Sequence, residues 1–351
     1  MPEKTILVCE AQVPFVQGGA EYHVRELVRQ LRGHGYPTEL VSVPFKWYPK
    51  EEILAHAAAW RLLDLSESNG RRIDLLIATK FPSYFARHPN KVVWLIHQHR
   101  AAYELAGTRF SDFAHTEADV ALRDQLIALD TQTLGECRRR FANARNTADR
   151  ARRYNGVDIE PLYHPPRLAD RITGGPYGDY ILSVGRLEAV KRVDLAIRAL
   201  ALTPGRLRLV IAGTGTQADT FRALAESLGI ADRVQFLGGV DDDTLLSLYA
   251  GARAVVFPPF DEDFGYITLE AFLARKAVVT TTDAGGPTEF VVDGENGYIV
   301  APEPQALADA FAALDHDAGL AQRLGEAGYV TASAITWSGV IERLVGAAEV
   351  A

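Results

Sequence analysis

YHPPRLADRITGGPYGD, residues 163–179, is where the pattern of this sequence breaks, and the break decides how the chain divides. Pro165, Pro166 and Pro176 disfavour helix and central strand, and Gly174, Gly175 and Gly178 suit turns. On either side, short apolar runs alternate with helical patterns. Upstream, ILVCE (6–10), TELVSV (38–43), IDLLIA (73–78), KVVWLIH (91–97) and RRFAN (139–143) read as strands. Between them, GGAEYHVRELVRQLRGHG (18–35) reads as a helix with Val24, Leu27, Val28 and Leu31 on one face. EEILAHAAAWRLLDL (51–65), ALRDQLIALDTQTLG (121–135) and NTADRARRYNG (146–156) read the same way. Downstream, the strands are YILSVG (180–185), RLRLVIAG (206–213), RVQFLG (233–238), ARAVVFP (252–258) and KAVVTT (276–281), and residues 303–349 read as helices.

This β-α-β rhythm, met twice, predicts an α/β protein of two Rossmann-like domains, each a doubly wound parallel sheet, facing a cleft. The expected division is 1–165, a linker at 166–178, 179–332, and a terminal segment 333–351. A chain of 351 residues is long enough for two cores. No apolar run reaches membrane-spanning length, and the N-terminus reads as a buried strand rather than a signal peptide. Cys9 and Cys137 lack metal-type spacing, so a reduced, cytoplasmic protein is expected. The net charge of −8 argues against nucleic acid as a partner. Yet RRRFANARNTADRARR (138–153) holds seven arginines and one acid. It is either an ion-paired, solvated face or a basic patch for an anionic acceptor or an anionic membrane surface.

Loops after strands carry the chemistry. VGRLEAVKR (184–192) follows a strand and opens a helix; Gly185, Arg186 and Lys191 there suit a diphosphate. PPFDEDFGYITLEAF (258–272) places Phe264, Gly265, Tyr266 and Ile267 at a helix start, again fit for phosphate. Glu270 in its second turn could accept both ribose hydroxyls, and Glu262 before the helix could reach a sugar; ordinary surface acids are the bland alternative. A metal-binding reading of Asp261-Glu262-Asp263 is weaker, because cations and amides already supply positive charge, and no metal or other cofactor is expected. Asp241-Asp242-Asp243 reads as a helix cap. Gly18, Gly19 and Glu21 open the first helix and repeat the anion-site logic, with Glu21 a candidate contact to acceptor or sugar, or form a turn with an N-terminal acid. His97, His99 and Arg100 end a strand, where a histidine can contact sugar or carry a proton. Gly213-Thr214-Gly215 is by itself a weak nucleotide signal. In KWYPKEEILAHAAAWRLL (46–63), Trp47, Tyr48 and Trp60 mark either a core helix with its capping loop or a surface for an acceptor or membrane.

In order along the chain, GGAE, GRLEAVK, IAGTG, VQFLG, EDFGYITLEA and GENG resemble glycosyltransferase family 4, retaining enzymes of the GT-B fold that use nucleotide sugars. The resemblance spans almost the whole chain and is strongest over 180–300. It implies that Arg186 and Lys191 meet the donor diphosphate, that Glu270 binds the ribose, and that Glu262 stands near the donor sugar. Gly19 would offer its amide to phosphate. His97, with His99 as the alternative, would lie near the donor sugar, and the last helix would cross back to the first domain. Gly238 lies in the stretch expected to read the base through backbone. Asp263, Tyr266 and Thr288 depart from the residues more usual there. The expected reaction is metal-independent transfer, with retention, of a hexosyl group from a GDP-mannose or UDP-hexose type donor to a glycan, lipid-linked or small-molecule acceptor. A peripheral position at the inner face of the membrane is part of that expectation. A GT-B epimerase and an NAD(P)-dependent oxidoreductase are the rival readings.

Overall fold

The computed structural model describes residues 4–16 and 18–346. The described chain divides into two compact units: residues up to Arg167 with those from Thr336 onward, and Leu168–Ile335.

The first unit is built on a parallel sheet. In chain order its strands are β1 (Ile6–Gln12), β2 (Thr38–Pro44), a separate small hairpin of β3 (Glu67–Ser68) and β4 (Arg71–Arg72), then β5 (Leu75–Ala78), β6 (Lys91–Leu95), β7 (Arg139–Ala142) and β8 (Glu160–Pro161). The sheet order is β2-β1-β5-β6-β7-β8. Strands β5 and β6 are buried along their whole length, as expected for continuous apolar runs covered on both faces. The helices are α1 (Gly19–Gly33), α2 (Ile53–Arg61), α3 (Glu117–Gly135) and α4 (Arg145–Asn155). In α1 the predicted stripe of Val24, Leu27, Val28 and Leu31 is buried.

The second unit orders its strands β11-β10-β9-β12-β13-β14, all parallel. They are β9 (Tyr180–Val184), β10 (Arg208–Ala212), β11 (Val234–Gly238), β12 (Ala254–Val256), β13 (Val278–Thr281) and β14 (Gly297–Val300). Its helices are α5 (Val193–Leu202), α6 (Ala218–Ser227), α7 (Asp242–Gly251), α8 (Tyr266–Leu273), α9 (Pro304–His316) and α10 (Ala318–Ser333). Asp241 caps α7 by accepting the Thr244 amide at 2.8 Å. A last helix, α11 (Trp337–Gly346), belongs to the first unit, whose core takes up Trp337, Val340, Ile341, Leu344 and Val345. The rest of the predicted terminal segment, residues 347–351, lies outside the described residues.

Several boundaries differ from the sequence reading. Helix α2 stops at Arg61, four residues early, and Leu62 beyond it is 86% exposed. Helix α3 begins at Glu117 because the Thr116 hydroxyl accepts the Asp119 amide. Strand β14 was not anticipated: it is a four-residue edge strand, too short for alternation to show.

Candidate functional site

In the second unit, strand order reverses between β9 and β12. Doubly wound sheets bind ligands beyond the carboxyl ends of the strands at such a point. The loop after β9 carries Gly185, Arg186 and Lys191, and the loop after β12 leads through Glu262 into α8. Backbone bonds fasten these loops together. Phe260 donates to the Val190 carbonyl at 2.8 Å, Asp261 to Asp283 at 2.9 Å, and Glu262 to Ala284 at 2.8 Å. Gly286 in turn donates to the Glu262 carbonyl at 2.7 Å.

Into this frame project the side chains singled out from the sequence. The Lys191 ammonium donates to the Glu262 carboxylate, with both side chains mostly buried. Arg186 is exposed, without a side-chain hydrogen bond or ion pair among the described residues. Gly265 caps α8 at φ +76, and a β-carbon there would fall 2.9 Å from Pro287 Cγ. Only glycine lets the chain turn into α8 so tightly; the Thr268 amide donates back to the Gly265 carbonyl at 3.0 Å, whereas the Ile267 amide has no such acceptor among the described residues. Phe264 is buried edge-on against Tyr266 and Phe290. Ile267 Cδ1 would lie 3.4 Å from a β-carbon on Gly185. Glu270, half-buried, accepts the Tyr249 hydroxyl at 2.7 Å. Burial, and then the Glu270 charge, push the Tyr249 phenol well above its usual range, so it stays a donor.

Gly213 and Gly215 do something other than the sequence reading gave them. A β-carbon on Gly213 would lie 1.8 Å from the Gly185 carbonyl oxygen, and one on Gly215 2.4 Å from that of Leu187. Leu187 donates to the Thr214 carbonyl at 2.8 Å and accepts from the Gln217 amide at 2.9 Å. These glycines therefore let the loop after β10 press against the 185–187 loop from behind. Gly238 ends β11 at φ +70 and accepts the Gly213 amide at 2.8 Å.

Arg192, passed over in the sequence, is the hub of the site's scaffold. Its guanidinium donates to both Asp283 oxygens at 2.6 and 2.8 Å, to the Pro258 and Pro259 carbonyls at 2.9 and 2.6 Å, and to Thr281 Oγ1 at 2.9 Å. Burial opposes the Asp283 charge, but Arg192 holds its carboxyl below the usual range. Arg192 and Asp261 both take left-handed backbone angles, φ +49 and +45, a cost of about 1–3 kcal/mol each that the surrounding bonds must offset. A lone arginine beside Lys191 gave no sequence signal for this, because its acceptors lie more than sixty residues away. Among the described residues no group of three His, Cys, Asp or Glu is placed to hold a metal ion.

The first unit places its own candidates at carboxyl ends of β1 and β6. Gly18 caps α1, and its amide donates to Glu21 Oε2 at 2.8 Å. The other Glu21 oxygen takes the ammonium of Lys80, and both side chains are buried. Glu21 is thus committed to capping and to a buried ion pair, which corrects its reading as a sugar contact. Gly19 is the first residue of α1. His97 is half-buried, and its Nδ1 donates to the Gln98 carbonyl at 3.0 Å. The His99 ring packs against Phe81 and Phe113, and burial drives it down to about 4. A ring neutral at ordinary pH, with Nε2 sealed from solvent, is poorly suited to carry protons, so His97 is the better placed of the two. Arg100 is bound to Glu104, which also takes Arg150 at 2.8 Å; that network, rather than an acceptor, occupies it. Gln98, between the histidines, is fully buried and donates to Asn155 Oδ1 at 2.6 Å. Trp47 and Tyr48 are exposed, whereas Trp60 is a core residue at 1% exposure, so the proposed surface loses one of its three aromatics. Among the described residues no helix is long and apolar enough to cross a membrane.

The chain is similar to known proteins over part or all of its length. Residues 176–331 match the family described as "Glycosyl transferases group 1". A D-inositol 3-phosphate glycosyltransferase of Nocardia farcinica is 30% identical over 280 residues, 72% of this chain and 61% of that protein. The lipopolysaccharide core biosynthesis mannosyltransferase LpcC of Rhizobium leguminosarum is 36% identical over 184 residues, 49% of this chain and 51% of that protein. The chain spans about half the length of the curated relatives it matches. Among solved structures, Anabaena HepE in complex with UDP and glucose superposes with a TM-score of 0.71 at 19% identity, covering 98% of this chain and 99% of that one. Over its whole length the chain shares the GT-B fold of such glycosyltransferase structures, and residues 176–331 resemble the group 1 glycosyl transferases in sequence.

Proposed function

We propose that this chain transfers a hexosyl group from a nucleoside-diphosphate sugar to a glycan, glycolipid or small-molecule acceptor, with retention at the anomeric carbon and without a metal. The observation that carries this is the gathering, at one switch point of one sheet, of Arg186, Lys191, the amino end of α8 and the Glu262/Glu270 pair. Arg186, Lys191 and the amides take the diphosphate. Glu270, oriented by Tyr249, takes the ribose hydroxyls. The backbone at Gly238 meets the base, and Glu262 the sugar. As the glycosidic bond breaks, charge builds on the departing diphosphate, where the two cations and the helix amides stabilise it. The departing phosphate oxygen then accepts the acceptor's proton on the same face, so that retention needs no carboxylate nucleophile.

The names of the relatives support this class of donor without choosing between UDP- and GDP-sugars: HepE was crystallised with UDP and glucose, and LpcC is a mannosyltransferase. The Gly-x-Gly of 213–215 is used for backbone packing, which counts against a dinucleotide oxidoreductase. His97 is assigned to the donor sugar, and a cytoplasmic setting with peripheral membrane contact remains part of the proposal. The test is calorimetric titration with UDP, GDP, ADP and NAD⁺, each with and without EDTA, followed by NMR of the product anomer. Tight, EDTA-insensitive binding of one diphosphate and a retained anomer are expected. Binding of NAD⁺ alone, a strict metal requirement, or an inverted anomer would overturn the assignment.

A further inference from the structure

At the far end of the first sheet from Gly18 and His97, the run of arginines folds into a pocket. Arg138, Arg139, Arg140 and Arg152 line an open cavity of about 360 Å³ together with Asp158 and Glu160. The first three stand at the amino end of β7, beside Val92 of β6, and Arg152 comes from the last turn of α4. From this pocket and its charge we infer a second anion site, one that takes the phosphate group of a phosphate mono- or diester.

Three of the four guanidiniums, those of Arg139, Arg140 and Arg152, are held in place. Arg140 donates to the Asp158 carbonyl at 3.2 Å and to that of Cys137 at 3.3 Å. Arg139 lies over the Phe141 ring, 5.1 Å from its centroid. The two lining carboxylates, together with Asp149, which stands 3.4 Å from Arg152, do not balance the four cations. Asp158 meets Arg152 at 2.9 Å and is 84% exposed. Glu160 is shared between Arg139, at 3.9 Å, and Arg343, a fifth guanidinium from α11. Arg138 is exposed and its side chain has no partner among the described residues. Such a cluster is self-repelling, and an anion with several acceptor oxygens relieves the repulsion while using the planar donor forks of arginine. The cavity's size suits a single phosphorylated group, and the chain's net charge of −8 disfavours a polyanion that would cover more of its surface. A soluble phosphate ester and an anionic lipid headgroup present the same chemistry here.

The experiment follows the arginine Nε–Hε resonances of the full chain while inorganic phosphate, then glycerol 1-phosphate, is added. In parallel, the chain is sedimented with phosphatidylcholine vesicles with and without phosphatidylglycerol. The resonances absent from Arg138→Gln and Arg152→Gln should shift, and the double variant should bind roughly tenfold more weakly. Asp158→Asn, which removes a competing negative charge, should bind about threefold more tightly. Sedimentation only with anionic vesicles, lost in the double variant, assigns a lipid headgroup; shifts with soluble esters alone assign a free phosphate ester. Absence of shifts at these two arginines together with no dependence of sedimentation on them overturns the inference, as does unchanged affinity in the double variant. Binding of UDP or GDP should be the same in the double variant, so the outcome is independent of the donor assignment.

Discussion

Lys191 and Glu262 neutralise one another, so a diphosphate reaching Lys191 competes with the protein's own carboxylate. Glu262→Gln removes the competitor but also the group assigned to the sugar. It should therefore bind free UDP or GDP at least as tightly as the parent while turnover falls about a hundredfold; calorimetry and initial rates check the two halves separately. A parallel loss of diphosphate affinity would mean that Glu262 serves only to hold Lys191. Tyr249 makes a different kind of contribution, because its hydroxyl, in a buried side chain, donates to Glu270. Removing its hydroxyl in Tyr249→Phe should cost about 1 kcal/mol of nucleotide binding, roughly fivefold. The loss should shrink for the 2′-deoxynucleoside diphosphate, which lacks one of the hydroxyls assigned to Glu270. Equal losses for both nucleotides would remove Glu270 from the ribose.

Among elements, the loop after β6 depends on helices α3 and α4 for its position. Gln98 donates to Asn155 of α4, and Asn155 donates to Thr131 of α3 at 2.9 Å. The Tyr103 hydroxyl, 3.4 Å from Asn155 Nδ2, donates to Asp130 of α3 at 2.5 Å. Burial raises the Asp130 carboxyl to about 7, against the lowering effect of its tyrosine bond. The folded chain therefore keeps a proton that the unfolded chain releases near the ordinary value of 3.8. Over that interval the folded state binds more protons, so this group's contribution to stability falls as pH rises from about 4 to about 7. Asp130→Asn should flatten that slope and gain most in melting temperature, relative to the parent, at pH 8. An unchanged pH dependence of unfolding between pH 4 and 8 would show that Asp130 is ionised throughout.

On the scale of the whole molecule, the two units are built differently from the chain. The second, Leu168–Ile335, is contiguous, whereas the first needs the returning α11. Trp337 packs edge-on to Trp94, ring centroids 6.0 Å apart, and beside His164 at 5.4 Å. Trp337→Ala should cost about 3–5 kcal/mol of unfolding free energy by opening that core. A chain ending at Ile335 should lose the cooperative unfolding of the first unit. The fragment 168–335 should still fold and bind the nucleoside diphosphate, which circular dichroism and calorimetry on the two fragments would show. A fragment that folds yet fails to bind would mean that the second unit does not hold the donor alone.

Sequence by itself determined the doubly wound architecture, because apolar runs, turn glycines and helical stripes act over a few residues and each showed its own period. It also placed Arg186, Lys191, Gly265 and Glu270 correctly at loop and helix starts, since such positions are set by local backbone geometry. Only the tertiary structure decided what those residues face. Arg192 became a hub because the carbonyls of Pro258 and Pro259 and the Asp283 carboxylate fold around it. Glu21 was withdrawn from solvent because Lys80, fifty-nine residues on, arrives at its second oxygen. Gly213 was needed because the carbonyl of Gly185, in the loop after β9, lies where its side chain would be. Pairings across such separations leave no period in the sequence: partner and distance are fixed only when the strands take their order in the sheet.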